Sequence, residues 1–169
     1  MGHGVTEPLR SELTARRAEI AAHYLRPRES RPASSARGVH HIALISSDVE
    51  RTVQFFDGLL GMPLIEMFEN RDYEGSTHFF FDLGHGNTLA YFDLPRLDLG
   101  PYAEVLGGHH HLAISMDREQ WEAARARLAA AGVETAHVDG SSLYFLGPDG
   151  ERLELISDPL LEMYGKPVG

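Results

Sequence analysis

Two short stretches decide the fold: Val39-His40-His41-Ile42-Ala43-Leu44-Ile45 and His109-His110-His111-Leu112-Ala113-Ile114-Ser115. Each places a histidine at the start of an apolar run with the length of one β-strand. A single histidine on a strand is usually a structural residue. A ligand-type side chain that recurs at one point of two similar units instead favours a site that both units share.

The similarity between the two units continues after the histidine strands. A shift of 70 residues places His41 on His111, and a helix-like run follows each strand. These runs extend from Asp48 to Leu60 and from Arg118 to Ala131, and each is followed by a glycine, as helix C-termini favour. The first halves of the two units therefore have the same order of strand and helix.

The second halves also match. A shift of 64 residues aligns segment 79–92 with segment 143–156 without a gap. Each unit then reads as strand, helix, strand, strand, strand. We therefore predict an α+β fold of two tandem βαβββ modules, at about residues 38–95 and 108–157, which form a curved mixed sheet.

Composition limits the classes of function. A chain of 169 residues, with 43% hydrophobic and 24% charged residues, can bury a core of ordinary size. The absence of cysteine excludes disulfides, thiolate nucleophiles and cysteine-based zinc sites. No apolar run has the length of a membrane span, and no signal-peptide pattern opens the chain, so we expect a cytoplasmic protein without a membrane partner.

Net charge distinguishes an N-terminal segment, residues 1–37, from the main body of the chain, residues 38–169. Residues 1–37 have a net charge of +3 and residues 38–169 have a net charge of −13, which together give the total of −10. A body this acidic repels phosphate backbones, so we expect no nucleic-acid partner. The pattern predicts an N-terminal helix and linker over 1–37, the main domain over 38–157 and a C-terminal tail over 158–169.

Strand alternation links these elements to a site. Successive side chains of a strand point to opposite faces, so His41 lies opposite to Ile42 and Leu44, which are expected to pack under the helices. On the last strand of the second module, the same alternation places Glu154 on the face opposite to Leu153. A carboxylate in an apolar strand is costly to bury unless it meets a metal or a cation. The same count places six further residues on the concave face: His78, Phe80, Ala90, Phe92, Ser142 and Tyr144.

With these marks the chain resembles the vicinal oxygen chelate superfamily, which includes glyoxalases, bleomycin-resistance and fosfomycin-resistance proteins, methylmalonyl-CoA epimerases and extradiol dioxygenases. The resemblance covers about residues 38–157. Its marks are His-x-Ala-[Leu/Ile] at the opening of each module and the run Leu143-Tyr144-Phe145-Leu146-Gly147-Pro148-Asp149-Gly150-Glu151-Arg152-Leu153-Glu154-Leu155 at the end of the second. Members of this family have paired modules around a divalent metal.

The resemblance also implies a set of metal ligands, namely His41, His111 and Glu154. Members with four ligands take another oxygen ligand from the closing strand of the first module, where this chain has Ala90. Two histidines and one carboxylate leave positions open for water, O₂ or a bidentate substrate. This set favours Fe(II), then Mn(II), with Zn(II) and Ni(II) as further alternatives, and it argues against glyoxalase and epimerase chemistry.

The open positions and the pocket residues suggest roles for further side chains. Tyr144 matches an active-site tyrosine of extradiol enzymes, and His78 and His137 are candidate acid–base groups. The expected substrate-binding residues are Phe80, Phe92, Ala90 and Ser142. The neighbours of the ligand histidines, His40, His109 and His110, are interpreted as strand-edge or helix-side residues.

Three classes of function follow from this interpretation. The favoured one is a dioxygenase of the extradiol ring-cleavage type that acts on a small catechol-like or bidentate substrate. The second is a metal-dependent thiol transferase or resistance enzyme of the fosfomycin type, or a glyoxalase-like lyase; few arginines are placed to bind a phosphonate. The third is a drug-binding resistance protein without catalysis, which the intact ligand set disfavours. We expect a homodimer, and the sequence leaves open whether the site closes within one chain or between two.

Overall fold

A computed structural model describes residues 6–138, 140–163 and 165–168 of the chain. Two compact units divide between Arg37 and Gly38. The first unit contains helix α1, Glu7–Tyr24, and a single 3-10 turn at Arg28–Ser30, and neither segment contains a buried residue. Within the described residues, no helix combines the length and the apolar character that a membrane span requires.

The first module forms a four-stranded mixed sheet in the order β1-β4-β3-β2, with β1 parallel to β4 and the other pairs antiparallel. A helical segment connects β1 and β2. In chain order the elements are β1, His41–Ser46; α2, Val49–Val53, which continues as a π-helix over Gln54–Leu60; β2, Leu64–Glu69; β3, Thr77–Asp82; and β4, Thr88–Asp93.

The second module repeats this arrangement in the order β5-β8-β7-β6, with β5 parallel to β8. A short antiparallel hairpin then follows in the C-terminal tail. The elements are β5, Leu112–Ser115; α3, Arg118–Ala130; β6, Ala136–Val138; β7, Ser142–Leu146; β8, Arg152–Ile156; β9, Glu162–Met163; and β10, Lys166–Pro167. The predicted α+β fold of two tandem βαβββ modules is confirmed.

Two details differ from the prediction. The helix that was predicted from Asp48 to Leu60 starts at Val49, because the Asp48 side chain caps it by accepting the Arg51 backbone N–H at 3.0 Å. Its second half is π-helical and ends at Gly61, which has a left-handed φ of 77°. In addition, the modules form two separate sheets, in which β1 and β5 are edge strands.

A single hydrophobic core lies between the two modules. The alternating residues that were predicted to face the helices do so: Ile42 and Leu44 pack against the core, and Leu153 and Leu155 are buried in it. Both helical segments contribute large side chains, including Phe56 and Trp121. Because the helix-facing sides of both sheets share this core, the opposite faces, which carry the predicted ligands, lie outside it.

Polar contacts also join the modules. Arg127 of α3 donates from Nε to the Leu59 carbonyl at 2.6 Å and from Nη2 to the Leu60 carbonyl at 3.0 Å. Tyr91 of β4 donates its hydroxyl to Glu151 Oε1 at 2.9 Å, and Glu151 is only 5% exposed. Burial raises the pKa of the Glu151 carboxyl and that of the Tyr91 hydroxyl, which therefore remains a proton donor.

Removing the hydroxyl in Tyr91→Phe should destabilise the domain. Glu151 Oε1 would lose its side-chain donor in a buried site, and we expect the free energy of unfolding to fall by about 1–3 kcal/mol. Urea unfolding, followed by tryptophan fluorescence, measures this. The half-buried Tyr73, whose hydroxyl donates to the Pro95 carbonyl in an exposed hydrogen bond, provides the matched control Tyr73→Phe, for which a loss below about 0.5 kcal/mol is expected. Equal losses in the two variants would contradict the role of the Tyr91–Glu151 bond.

Candidate functional site

The outer face of the first sheet carries His41 at the start of β1. Its ring is exposed, and its Nδ1 lies 2.9 Å from Nδ1 of the preceding His40. The ring also meets Phe80 of β3 edge-on, with 6.2 Å between centroids. The Nδ1 contact leaves Nε2 of His41 as the nitrogen available to a ligand.

His78 lies on the same face within an aromatic cluster. Its ring stacks on Phe92 at 3.8 Å and approaches Phe80 at 4.3 Å and Phe68 at 5.2 Å between centroids. Its Nε2 is buried and has no hydrogen-bond partner within the described part of the chain. Burial, and to a smaller extent the nearby charge of His41, lowers the pKa of His78, which favours a neutral imidazole.

The second module brings two predicted ligands together. Nε2 of His111 lies 3.0 Å from Oε2 of Glu154, and the Glu154 side chain is almost completely buried. The His111 ring contacts Tyr144 edge-on at 5.5 Å between centroids. A buried carboxylate that faces an imidazole nitrogen is a donor pair that fits a divalent metal such as Fe(II), Mn(II) or Zn(II).

Other predicted residues surround this pair. Tyr144 pairs with Glu154 across β7 and β8, so both side chains lie on one face. Ser142, two residues before Tyr144, is 1% exposed, and among the described residues its Oγ has no partner. The side chain of His137 lies outside the described residues, although its backbone belongs to β6.

The register of the two sheets supports the expected loss of a fourth ligand. Glu154 lies between Ala113 of β5 and Tyr144 of β7. Ala90 lies in the same way between Ala43 of β1 and Phe80 of β3. Ala90 therefore occupies in the first module the place of Glu154 in the second, and its methyl group cannot donate to a metal.

The third predicted ligand is not part of the His111–Glu154 pair. Across the described ranges, no group of three or more His, Asp and Glu side chains is arranged to hold a metal within one chain. His41 belongs to the other sheet, whose opposite side faces the shared core. The proposed ligand set of His41, His111 and Glu154 therefore stays a prediction, and one chain brings together only two of its members.

Two features of the site were not found from the sequence. Glu66 lies opposite Phe80, on the outer face, because a register shift lies between Leu64 and Glu66. Strict alternation from Leu64, which packs against the core, would have placed Glu66 on the helix-facing side. No local signal in the sequence marks this bulge.

The second feature is a polar chain beside His111. The neighbouring His110, interpreted from the sequence as a strand-edge or helix-side residue, contacts both His111 and Arg152. Arg152 lies on the outer face with Glu154, since the two are two residues apart on β8. A cavity of about 720 Å³ adjoins these residues and is lined by His110, Val133, Glu134, Thr135, Ala136, Tyr144, Phe145, Leu146 and Arg152.

The family follows from a comparison with known proteins. The sequence-family model of the Glyoxalase/Bleomycin resistance protein/Dioxygenase superfamily matches residues 38–155 of this chain. The chain belongs to this superfamily. The match spans both modules and includes the two histidine strands and Glu154, so the predicted family is confirmed.

Individual relatives divide between several activities. The chain is 28% identical over 122 residues to the glutathione transferase FosA of Serratia marcescens, covering 70% of this chain and 79% of FosA. It is 22% identical over 142 residues to the putative ring-cleaving dioxygenase MhqA of Bacillus subtilis, covering 78% of this chain but only 43% of MhqA.

Solved structures share the same fold. A variant of the fosfomycin resistance protein FosX from Listeria monocytogenes, complexed with Mn(II) and 1S,2S-dihydroxypropylphosphonic acid, superposes with a TM-score of 0.56 at 25% identity. The similarity covers 73% of this chain and 94% of FosX. The relatives thus include metal-dependent enzymes, and they do not select one reaction for this chain.

Proposed function

We propose that this protein is a divalent-metal-dependent dioxygenase of the extradiol ring-cleavage type. The observation that carries the proposal is the aromatic character of the first module's outer face. Phe68, Phe80 and Phe92 surround the half-buried ring of His78 on this face. Such a wall suits a flat aromatic substrate, since aromatic rings pack well against one another.

His41, His111 and Glu154 would hold the metal, with Fe(II) favoured and Mn(II) next. When bound, such a metal supplies a Lewis acid with open positions for a bidentate substrate and O₂. Tyr144, which shares a face with Glu154, would donate its hydroxyl to a substrate oxygen. The neutral His78, with its unpartnered Nε2, is placed to accept a phenol proton. Ala90 and Ser142 would line the pocket beside them.

The complete site is proposed to form between two chains. Because both sheets turn their helix-facing sides to one core, His41 and the His111–Glu154 pair lie on faces outside that core. The edge strand β1 begins at His41, the edge strand β5 begins directly after His111, and free edges favour pairing with another chain. Two apolar side chains, Val39 just before β1 and Ile45 within it, are exposed in one chain. A homodimer would join His41 of one chain to His111 and Glu154 of the other.

A thiol transferase is the second candidate. It is favoured by the similarity to FosA and to several metallothiol transferases named FosB, one of them 27% identical over 133 residues. Charge argues against it. Apart from histidines, Arg152 is the one cationic side chain on the described outer faces of the two sheets, and it is already paired with Glu104 at 2.6 Å. A phosphonate would therefore find few partners.

Oxygen consumption tests the proposal. Protein purified without air and loaded with Fe(II) is expected to consume O₂ with at least one member of a panel of catechols, at a rate at least about 100-fold above free Fe(II). An oxygen electrode measures the uptake, and absorbance of the ring-opened product confirms it. Parallel samples loaded with Mn(II), Zn(II) and Ni(II) identify the metal.

The variant His23→Gln provides the control, because His23 lies in α1, outside the domain that matches the family. Its O₂ uptake should equal that of the wild-type protein. Failure of every metal–catechol combination would refute the dioxygenase proposal. Formation of a thiol adduct of fosfomycin by the Mn(II)-loaded protein would then establish the second candidate.

A further inference from the structure

Glu66 is a carboxylate on the outer face of the first sheet, and its position depends on the bulge in β2. The residue lies opposite Phe80, after a shift of register between Leu64 and Glu66. A β-bulge re-aims the side chains beside it, and bulges are over-represented next to active sites. The bulge in β2 places a negative charge on a face that strict alternation would have given to Ile65.

The Glu66 side chain is accessible to a ligand. It is exposed, its Oε1 accepts the backbone N–H of Met67 at 2.9 Å, and within the described part of the chain no cation pairs with it. The alternation of β3 gives Asp82 the same face. That carboxylate ends the strand, however, and accepts the Gly84 backbone N–H at 2.7 Å. Glu66 is therefore the carboxylate that lies beside the aromatic wall.

Two phenylalanines flank Glu66. Phe68 follows it by two residues on β2 and shares its face, and Phe80 is its partner across the strands. The two rings lie 5.8 Å apart between centroids, inclined by 31°, and Phe68 is 47% exposed. The face of an aromatic ring attracts a cation, and a neighbouring carboxylate adds a full negative charge. This combination suits an ammonium group.

The surrounding charge also favours a cationic ligand. The four strands of the first sheet contain no lysine or arginine that could pair with Glu66. Residues 38–169 have a net charge of −13, which attracts cations to the surface and repels anions. An aromatic substrate with an anionic substituent would meet Glu66 with like charge.

Phe80 connects Glu66 to the proposed metal site. Its ring lies 6.2 Å from the ring of His41 between centroids, and its partners across the strands are Ala90 on one side and Glu66 on the other. Adjacent strands are about 4.8 Å apart, so about 10 Å of sheet separates Ala90 from Glu66. A catechol stacked over Phe80, with its oxygens toward His41, would direct a two-carbon amine chain toward Glu66.

We infer that Glu66 is a specificity-determining residue, which selects aromatic ligands that carry a cationic amine. For substrates of ring cleavage the inference rests on the proposed function, whereas binding tests the charge preference without any turnover. Three catechols of similar size separate charge from shape: dopamine carries an ammonium group, ethylcatechol is neutral and dihydrocaffeate carries a carboxylate. Isothermal titration calorimetry of the metal-free protein without air should give a Kd for dopamine about five- to tenfold below that for ethylcatechol, with dihydrocaffeate the weakest.

Variants of β2 assign the preference to Glu66. In Glu66→Gln, dopamine should bind about fivefold more weakly, while the Kd for ethylcatechol changes less than about twofold. Glu66→Lys should reverse the order, so that dihydrocaffeate binds more tightly than dopamine. The matched control is Glu69→Gln, which removes the same charge from an exposed residue on the opposite face of the same strand and should keep the preference.

Turnover provides the second measurement. In Fe(II)-loaded protein, Glu66→Gln should raise the KM for dopamine about fivefold and leave kcat within about twofold, because Glu66 contacts the amine and not the reacting ring. If no catechol supports O₂ uptake but Glu66→Gln removes the preference in binding, the proposed function fails and the inference about Glu66 stands. The inference would be overturned by equal affinities for dopamine and ethylcatechol, by a preference that survives in Glu66→Gln, or by a Kd for dopamine above about 10 mM.

Discussion

Replacing Glu154 by glutamine is expected to abolish metal retention while the fold stays intact. The amide has nearly the same shape as the carboxylate but lacks the negative charge that a divalent cation requires. The residue is buried and faces His111 Nε2 at 3.0 Å, where an amide can still hydrogen-bond to the imidazole. We expect the metal affinity to fall by more than about 100-fold, since residues that only support ligands already contribute 10–100-fold.

Two measurements separate this result from unfolding. Metal analysis after dialysis gives the stoichiometry, and thermal unfolding followed by circular dichroism should give an unchanged melting temperature within about 3 °C for the metal-free forms. The exposed Glu162 of the C-terminal hairpin provides the control Glu162→Gln, which should retain the metal. Stoichiometric metal in Glu154→Gln would refute the assignment of Glu154 as a ligand.

Mixing two inactive variants is expected to restore activity if the site lies between chains. His41→Ala damages the face of the first module, and His111→Ala damages that of the second, so neither homodimer contains an intact site. In a mixed dimer, the first module with its His41 intact can meet the second module with its His111 intact. Each mixed dimer then has one complete site and one site that lacks both histidines.

The recovery has a defined size. Random exchange of subunits makes about half of the dimers mixed, and about a quarter of all sites intact, so close to a quarter of the unchanged activity should return. Activity is measured after equal amounts have been unfolded together and refolded, with each variant refolded alone as the baseline. No recovery, despite mixed dimers seen by native mass spectrometry, would show that each site closes within one chain.

The sequence predicted the fold to the level of single strand faces. The repeat aligned His41 with His111 and placed Ile42 and Leu44 toward the helices, and the structure has them there. These predictions succeeded because strand alternation is a local property, which two copies of the same pattern report twice. The π-helical second half of the first predicted helix was not predicted. Its sequence has no proline, and a single glycine inside a helical pattern, here Gly58, does not by itself signal a π-helix.

The candidate site was predicted only in part. Strand alternation alone placed Glu154 on the face opposite Leu153 and Leu155. The register of β5 and β8 then brings Glu154 to His111. The bulge that turns Glu66 outward depends on pairing with β3 and has no sequence signature. The position of Arg152 against His110 likewise depends on a side chain that reaches across two strands.

The sequence by itself determined the two modules and the face of each strand residue, because both follow from residue identity at repeated positions. It also predicted the ligands His41, His111 and Glu154 and the lack of a fourth ligand at Ala90, and these remain predictions. Only the tertiary structure decided that one chain keeps His41 apart from His111 and Glu154. The reason is hydrophobic burial: the apolar sides of both sheets are satisfied by one common core, which leaves the polar faces outside it. A local pattern shows which face a residue occupies, but packing determines which other face it meets.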